Sequence, residues 1–222
     1  MKRRTFKAIA QVVFVLAIIA GLLGLIAGCS MDSPVRSDAP HLHEVFVDLS
    51  DPTPSVIEAH LMRGFNSQRM LPPGTLVRFY TFAGNVQRVY EGGPIRNTDD
   101  FFEQVTVHVQ KRIANSTKET ETRTEKVLAL VAVNAASRER YGVFIATDGG
   151  VEDLSRPVLQ SVKESAQVLA ENNSVAQIVV SGALSQHQLR WTKWLEPLGG
   201  RAYVRSESDL GRSTPRYWEE MP

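Results

Sequence analysis

The chain has 222 residues, 25 basic and 24 acidic, and the only charges in its first 28 residues are Lys2, Arg3, Arg4 and Lys7, so 21 basic groups face 24 acidic ones from Cys29 onward. That balance, with no basic cluster, excludes nucleic acid as an expected partner, because phosphate binding needs a concentrated basic surface. Cys29 is the single cysteine, which excludes an internal disulfide framework and leaves core burial to hold the ~190 residues beyond the first segment, enough for one domain.

Residues 8–28 read AIAQVVFVLAIIAGLLGLIAG, apolar or glycine throughout except Gln11. Basic residues before such a run stay on the cytoplasmic side. The run closes on Ile26-Ala27-Gly28-Cys29, which resembles the lipobox of a bacterial lipoprotein signal. The resemblance implies cleavage before Cys29 and its lipidation with palmitate-type chains. The same run also reads as an uncleaved anchor, since about 20 apolar residues span a bilayer. Either way the domain is expected outside the cytoplasm and tethered to the cell envelope. Ser30 in place of Asp after the cysteine implies, by the sorting pattern of enteric lipoproteins, the periplasmic face of an outer membrane. Residues 29–42 then form the lipidated cysteine and a polar, proline-containing spacer, with His41 and His43 assigned to it; such composition buries no core.

From there strands and helices alternate. Residues 44–49 (EVFVDL) predict a strand. Thr53 and Pro54 predict an N-cap and first helical position, with a helix to about residue 70 on which Val56, Ile57, Leu61 and Phe65 share a face. Pro72-Pro73-Gly74 is a turn. Residues 75–82 (TLVRFYTF) predict a strand, and 85–90 a further edge strand. Residues 99–113 read as helix, weakened by the β-branched Val105, Thr106, Val107 and Val109. A polar, threonine-rich stretch leads into a helix over 125–136. Residues 141–146 are a continuous apolar run, as expected of a central parallel strand. An amphipathic helix over 155–171, a strand over 175–180, a helix over 185–195 with Trp191 and Trp194, a break at Gly199-Gly200 and a strand over 201–205 complete the domain. Residues 212–222 read as a tail in which Tyr217 and Trp218 are candidates to dock.

Strands alternating with helices predict an α/β fold: a doubly wound, mostly parallel central sheet with helices on both faces. Sites in such sheets lie at the carboxyl ends of strands, where Asp48, Ser50 and Asp148 fall.

The segments VFVDLSDPT, TLVRFYTFAG, VFIATDGG, IVVSGALS and GGRAYVRSESDL, in that order over residues 43–211, together resemble the von Willebrand factor type A (VWA) domain. The resemblance implies a three-layer VWA-like sandwich that binds protein partners. It also implies a divalent cation, Mg²⁺ or a relative, on the carboxyl edge of the sheet. The implied ligands are Asp48, Ser50, Asp148 and a loop threonine, either Thr122 or Thr124. Hard oxygen donors with water completing the shell suit such an ion, and a partner's acidic side chain would replace one water. One position departs from the family pattern: Pro52 stands where a second serine belongs and offers no side-chain oxygen. Thr53 or Asp51, close by, are the remaining donors.

Simpler roles fit the same residues. Asp48, Ser50 and Asp148 satisfy backbone amides at turns in many proteins, and the threonines of 117–124 read as a solvated loop. Asn115-Ser116-Thr117 matches a glycosylation acceptor, discounted for a bacterial export signal. His41, His43, His60, His108 and His187 show no metal-binding spacing. Trp191 and Trp194 read as packing residues. Catalysis is not expected. Asp48-Leu49-Ser50-Asp51 only faintly resembles an Asp-x-Asp phosphatase loop, its second aspartate falling one residue late, and no nucleophile elbow or glycine-rich phosphate loop occurs. The expected function is a membrane-anchored binding module, with a metal-independent envelope scaffold as the alternative and a hydrolase behind both.

Overall fold

Strand β1, Leu42–Asp48, is buried along its whole length, as both its sequence and its place dictate. In the computed structural model, which describes residues 41–51, 53–115, 122–136, 140–151, 153–173 and 175–206, β1 pairs in parallel with β2 (Leu76–Phe82) on one side and β4 (Tyr141–Ala146) on the other. Strands β5 (Val175–Ala183) and β6 (Ala202–Ser206) extend the sheet in parallel beyond β4. Strand β3 (Val86–Gly92) closes the other edge antiparallel to β2, giving the order β3-β2-β1-β4-β5-β6. The parallel strands need helical crossovers, and these cover both faces. One face packs against α1 (Pro54–Gln68) and the segment from α2 (Thr98–Phe101) to α3 (Val107–Asn115). The other packs against α4 (Thr124–Ala135), α5 (Arg156–Glu171) and α6 (Ser185–Leu195). The expected doubly wound α/β architecture is therefore present.

Several boundaries differ from the sequence reading for identifiable reasons. Leu42 belongs to β1 rather than to the spacer, because it is core. His43, also assigned to the spacer, is a buried β1 residue whose Nε2 lies 3.3 Å from Ser67 Oγ, and Ser67 Oγ donates to Gly64 O at 2.8 Å. Burial pushes its imidazole down to about 3, so it is neutral. Thr53 precedes α1 but its side chain makes no cap bond; Asp51 Oδ1 instead accepts from Thr53 N at 2.8 Å. Strand β5 runs on to Ala183 past the expected end.

The predicted helix over 99–113 forms in three pieces, with a π-helical turn over Phe102–Thr106 between α2 and α3. Phe101, Val105 and Val109 are all buried in the same core. Steps of four residues overshoot by ~40° in an α-helix, and the wider π turn cancels that drift and keeps the three on one face.

Glu44, in the middle of apolar β1, is fully buried. Its carboxylate accepts from Tyr80 OH at 3.1 Å, from Tyr141 OH, and from Asn134 Nδ2 at 3.0 and 3.2 Å. Arg78 Nη1 lies 3.5 Å away. Burial and then the Glu44 charge push the Tyr80 hydroxyl up to about 12 and likewise raise that of Tyr141 well above its ordinary value. A buried charge is tolerated only when paired and bonded in this manner.

The first 40 residues, including Cys29 and the run expected to be a lipobox, lie outside the described residues, as do Pro52, Ser116, Thr117 and the tail with Tyr217 and Trp218. Among the described residues no helix is long and apolar enough to cross a membrane.

Candidate functional site

Two neighbouring strands, β1 and β4, end together at the carboxyl edge of the sheet and deliver Asp48 and Thr147-Asp148 side by side. Asp48 Oδ1 accepts from Ser50 N at 2.9 Å, which folds the chain back over the edge. Its Oδ2 accepts from Thr147 Oγ1 at 2.6 Å, which ties the two strand ends together. Asp48 is almost fully buried. Burial raises its carboxyl to about 6, against the lowering effect of the Thr147 and Ser50 bonds, and the charge of Asp148 raises it further. This is a carboxylate short of positive charge.

The turn after β4 is compact. Thr147 Oγ1 accepts from Gly149 N at 3.0 Å, and Asp148 Oδ1 accepts from Gly150 N at 2.7 Å. Gly149 has φ +84°, and a Cβ there would stand 2.9 Å from His187 Cβ. At the end of β5, Gly182 has φ +97°, and a Cβ would stand 2.6 Å from Arg63 Nη1 and 3.0 Å from Thr147 O. Both positions require glycine.

The third strand to reach this edge is β2, through the Ala83–Asn85 turn. Arg112 binds Thr81 O at 2.8 Å and Asn85 O at 2.9 Å, and Arg123 N donates to Ala83 O at 3.1 Å. These bonds fix the start of α4, and Thr122 just before it donates from Oγ1 to Ser50 Oγ at 2.7 Å. Thr124, the other candidate, is buried in the first turn of α4, and its Oγ1 has no hydrogen-bond partner among the described residues. Of the two threonines left open by the sequence, Thr122 joins Ser50.

The fold thus brings Asp48, Ser50, Thr122 and Asp148 to one edge. Two carboxylates and two hydroxyls are the hard donor set that Mg²⁺-type ions take. Neighbouring oxygens in an octahedron with metal–oxygen distances of ~2.1 Å stand ~3 Å apart, close to the observed separation of Ser50 Oγ and Thr122 Oγ1. The residues present therefore fit such an ion. Among the described residues no three His, Cys, Asp or Glu side chains gather that could hold a metal ion, so this donor set has only two carboxylates and depends on its hydroxyls.

Two site neighbours were not read from the sequence. His60 of α1 lies beneath Asp48, with Nδ1 3.1 Å from Asp48 O. A carbonyl only accepts, so Nδ1 carries the proton. Burial lowers its pKa despite that bond, and the ring is neutral. Arg63, one turn on, is buried against Gly182. Their i, i+3 spacing on the buried side of α1 was the available signal. Trp191 is fully buried and meets Trp194 edge-on, with ring centroids 5.6 Å apart.

The sequence matches no protein-family model and no curated protein. Solved structures do match the fold. The ArnB paralog VWA2 from Sulfolobus acidocaldarius is 14% identical with a TM-score of 0.51 over 76% of this chain and 42% of its own. The SpRpn10 VWA domain is 14% identical, with a TM-score of 0.51 over 76% of this chain and 87% of its own. A von Willebrand factor type A protein from Catenulispora acidiphila is 12% identical, with a TM-score of 0.51 over 79% and 41%. The chain spans about two fifths of the length of the first and third of these. At such identities the likeness is one of fold: the described residues adopt a VWA-like α/β sandwich.

Proposed function

We propose that this chain is a non-enzymatic binding module, anchored on the extracytoplasmic side of a membrane, that takes a protein partner at the carboxyl edge of its sheet through a divalent cation. The observation that carries the reading is the 2.7 Å bond from Thr122 to Ser50, which joins two loops far apart in sequence at the edge where Asp48 and Asp148 lie at the ends of neighbouring strands. Asp48, Ser50, Thr122 and Asp148 would hold the ion. When bound, it supplies a hard Lewis-acid position at which a partner's carboxylate replaces water. The chain's own residues do the orienting. Ser50 N and Thr147 hold the Asp48 carboxylate, Gly150 N holds Asp148, and the turn around Ala83 holds the threonine.

The test is the melting temperature of the full chain, kept in detergent on account of its apolar first segment, in EDTA and then in millimolar Mg²⁺ or Mn²⁺. Binding to the native state raises stability by ~2.7 kcal/mol at a hundred times the dissociation constant. The expected rise is lost in Asp48→Ala and Asp148→Ala. A wild-type melt that no divalent ion moves would remove the cation from the proposal.

A second reading, a metal-independent envelope scaffold, rests on a different observation. Both Asp48 oxygens and Asp148 Oδ1 already accept protein hydrogen bonds, and Pro52 lacks the oxygen of a fifth donor. That reading expects the same fold and no cation effect.

A further inference from the structure

The turn that presents Asp148 is gripped by a helix that carries none of the candidate ligands. Leu184, the residue that caps α6, donates its amide to Asp148 O at 2.7 Å. One and two turns into α6, His187 and Trp191 stand against Gly149, with His187 Cβ 2.9 Å and Trp191 Nε1 3.1 Å from where a Gly149 Cβ would be. Trp191 is fully buried, and its indole N–H has no acceptor among the described residues. A buried donor left unbonded is disfavoured, so the ring is held there by packing. We propose that Leu184 and Trp191 are positioning residues for Asp148. Together they clamp the Thr147–Gly150 turn with Gly149 at its positive φ, so that ion or partner binding at Asp148 is coupled to α6. This rests on the reading that Asp148 belongs to the binding site.

Leu184 allows a clean test. Its φ of −59° and ψ of 146° are those of proline, and Ala183 before it is in a strand, as the residue before proline should be. Leu184→Pro therefore deletes the amide donor while leaving the Leu184 carbonyl to accept from His187 N and Gln188 N. Leu184→Ala keeps the amide and removes the side chain.

Hydrogen exchange of the full chain is measured in EDTA. Leu184→Pro is expected to speed exchange at 147–150 by roughly fivefold to tenfold, the weight of one net backbone bond, with 141–146 unchanged. Leu184→Ala is expected to leave both unchanged. Exchange at 147–150 indistinguishable from wild type in Leu184→Pro, or an equal rise through β4, would overturn the clamp. The same proteins are then titrated with Mn²⁺ and followed by melting. The midpoint in Leu184→Pro is expected at roughly five to ten times more Mn²⁺ than in wild type. An unmoved midpoint with faster exchange would overturn its role in positioning Asp148. If wild type itself ignores Mn²⁺, the cation reading fails, while the clamp is still decided by the exchange data.

Discussion

Thr122 donates a hydrogen bond to Ser50 at 2.7 Å across 72 residues of sequence, whereas the hydroxyl of Thr124, two residues further, is buried with no hydrogen-bond partner among the described residues. The pair predicts a split between neighbouring threonines. Thr122→Ala should reduce the cation-dependent rise in melting temperature, and Thr124→Val should leave that rise intact. Because the Thr124 hydroxyl is buried without a partner among the described residues, replacing it by a methyl should change stability by less than ~1 kcal/mol or increase it. Parallel melts of the two variants in EDTA and in Mg²⁺ check both statements.

Glu44 is the most heavily bonded buried charge described, and its removal should show it. Glu44→Ala leaves Arg78, Tyr80, Tyr141 and Asn134 facing an empty site and should destabilise by ~3–5 kcal/mol. Glu91→Ala, which breaks only exposed pairs with Arg78 and Arg88, should cost less than ~1 kcal/mol. Urea unfolding of both variants measures the difference.

Gly182→Ala should be among the costliest single-methyl insertions. It forces a side chain into positive φ (~1–2 kcal/mol) and against Arg63 and the Thr147 carbonyl, for a total of ~2–4 kcal/mol. Gly93→Ala, where the added methyl meets nothing within 4 Å, should stay within ~0.5 kcal/mol of wild type. Thermal melts separate the two.

His43 should make the fold acid-labile. It is neutral in the native state, with its pKa pushed down to about 3, against an ordinary 6.5. As pH falls below 6.5, the unfolded chain takes up a proton that the native chain refuses. Stability is therefore full above pH 6.5 and declines toward pH 3, by ~3 kcal/mol between pH 6.5 and 4. His60, also lowered by burial, acts in the same direction. Asp48, raised to about 6, acts oppositely, since the native state then binds the extra proton between pH 4 and 6. Both remain in His43→Gln, so the difference in pH slope between that variant and wild type, measured by urea unfolding at several pH values, isolates His43.

Much of the sheet was legible because its signals are local. The apolar runs at β1, β4 and β5, each followed by a helical period, specify parallel strands with crossovers, and Asp48 and Asp148 at the ends of β1 and β4 follow from that order alone. What was not legible depends on long-range packing. Whether Thr122 or Thr124 faces Ser50 turns on where α4 begins, which the Ala83 turn decides from another strand. His43 read as spacer because a histidine beside a polar segment looks exposed, whereas its place in β1, paired on both sides by β2 and β4 and facing Ser67 of α1, buries it. The β-branched residues at 105–109 registered as a weakness in a helix, but the π turn that resolves it exists to aim three side chains at one core.

The buried carboxylate of β1 also bears on how the chain finds its fold. Strand β1 sits between two parallel neighbours with apolar residues on both faces, so a slip of one residue would exchange one apolar face for the other with little hydrophobic loss. Glu44 removes that ambiguity. Shifted by one residue it would enter the core beneath α1, away from Tyr80, Tyr141, Asn134 and Arg78, and Asp48 would turn with it. The acid inside the strand thus selects the alignment that delivers the other acid to the edge, and misaligned pairings are disfavoured by charge where hydrophobicity cannot tell them apart.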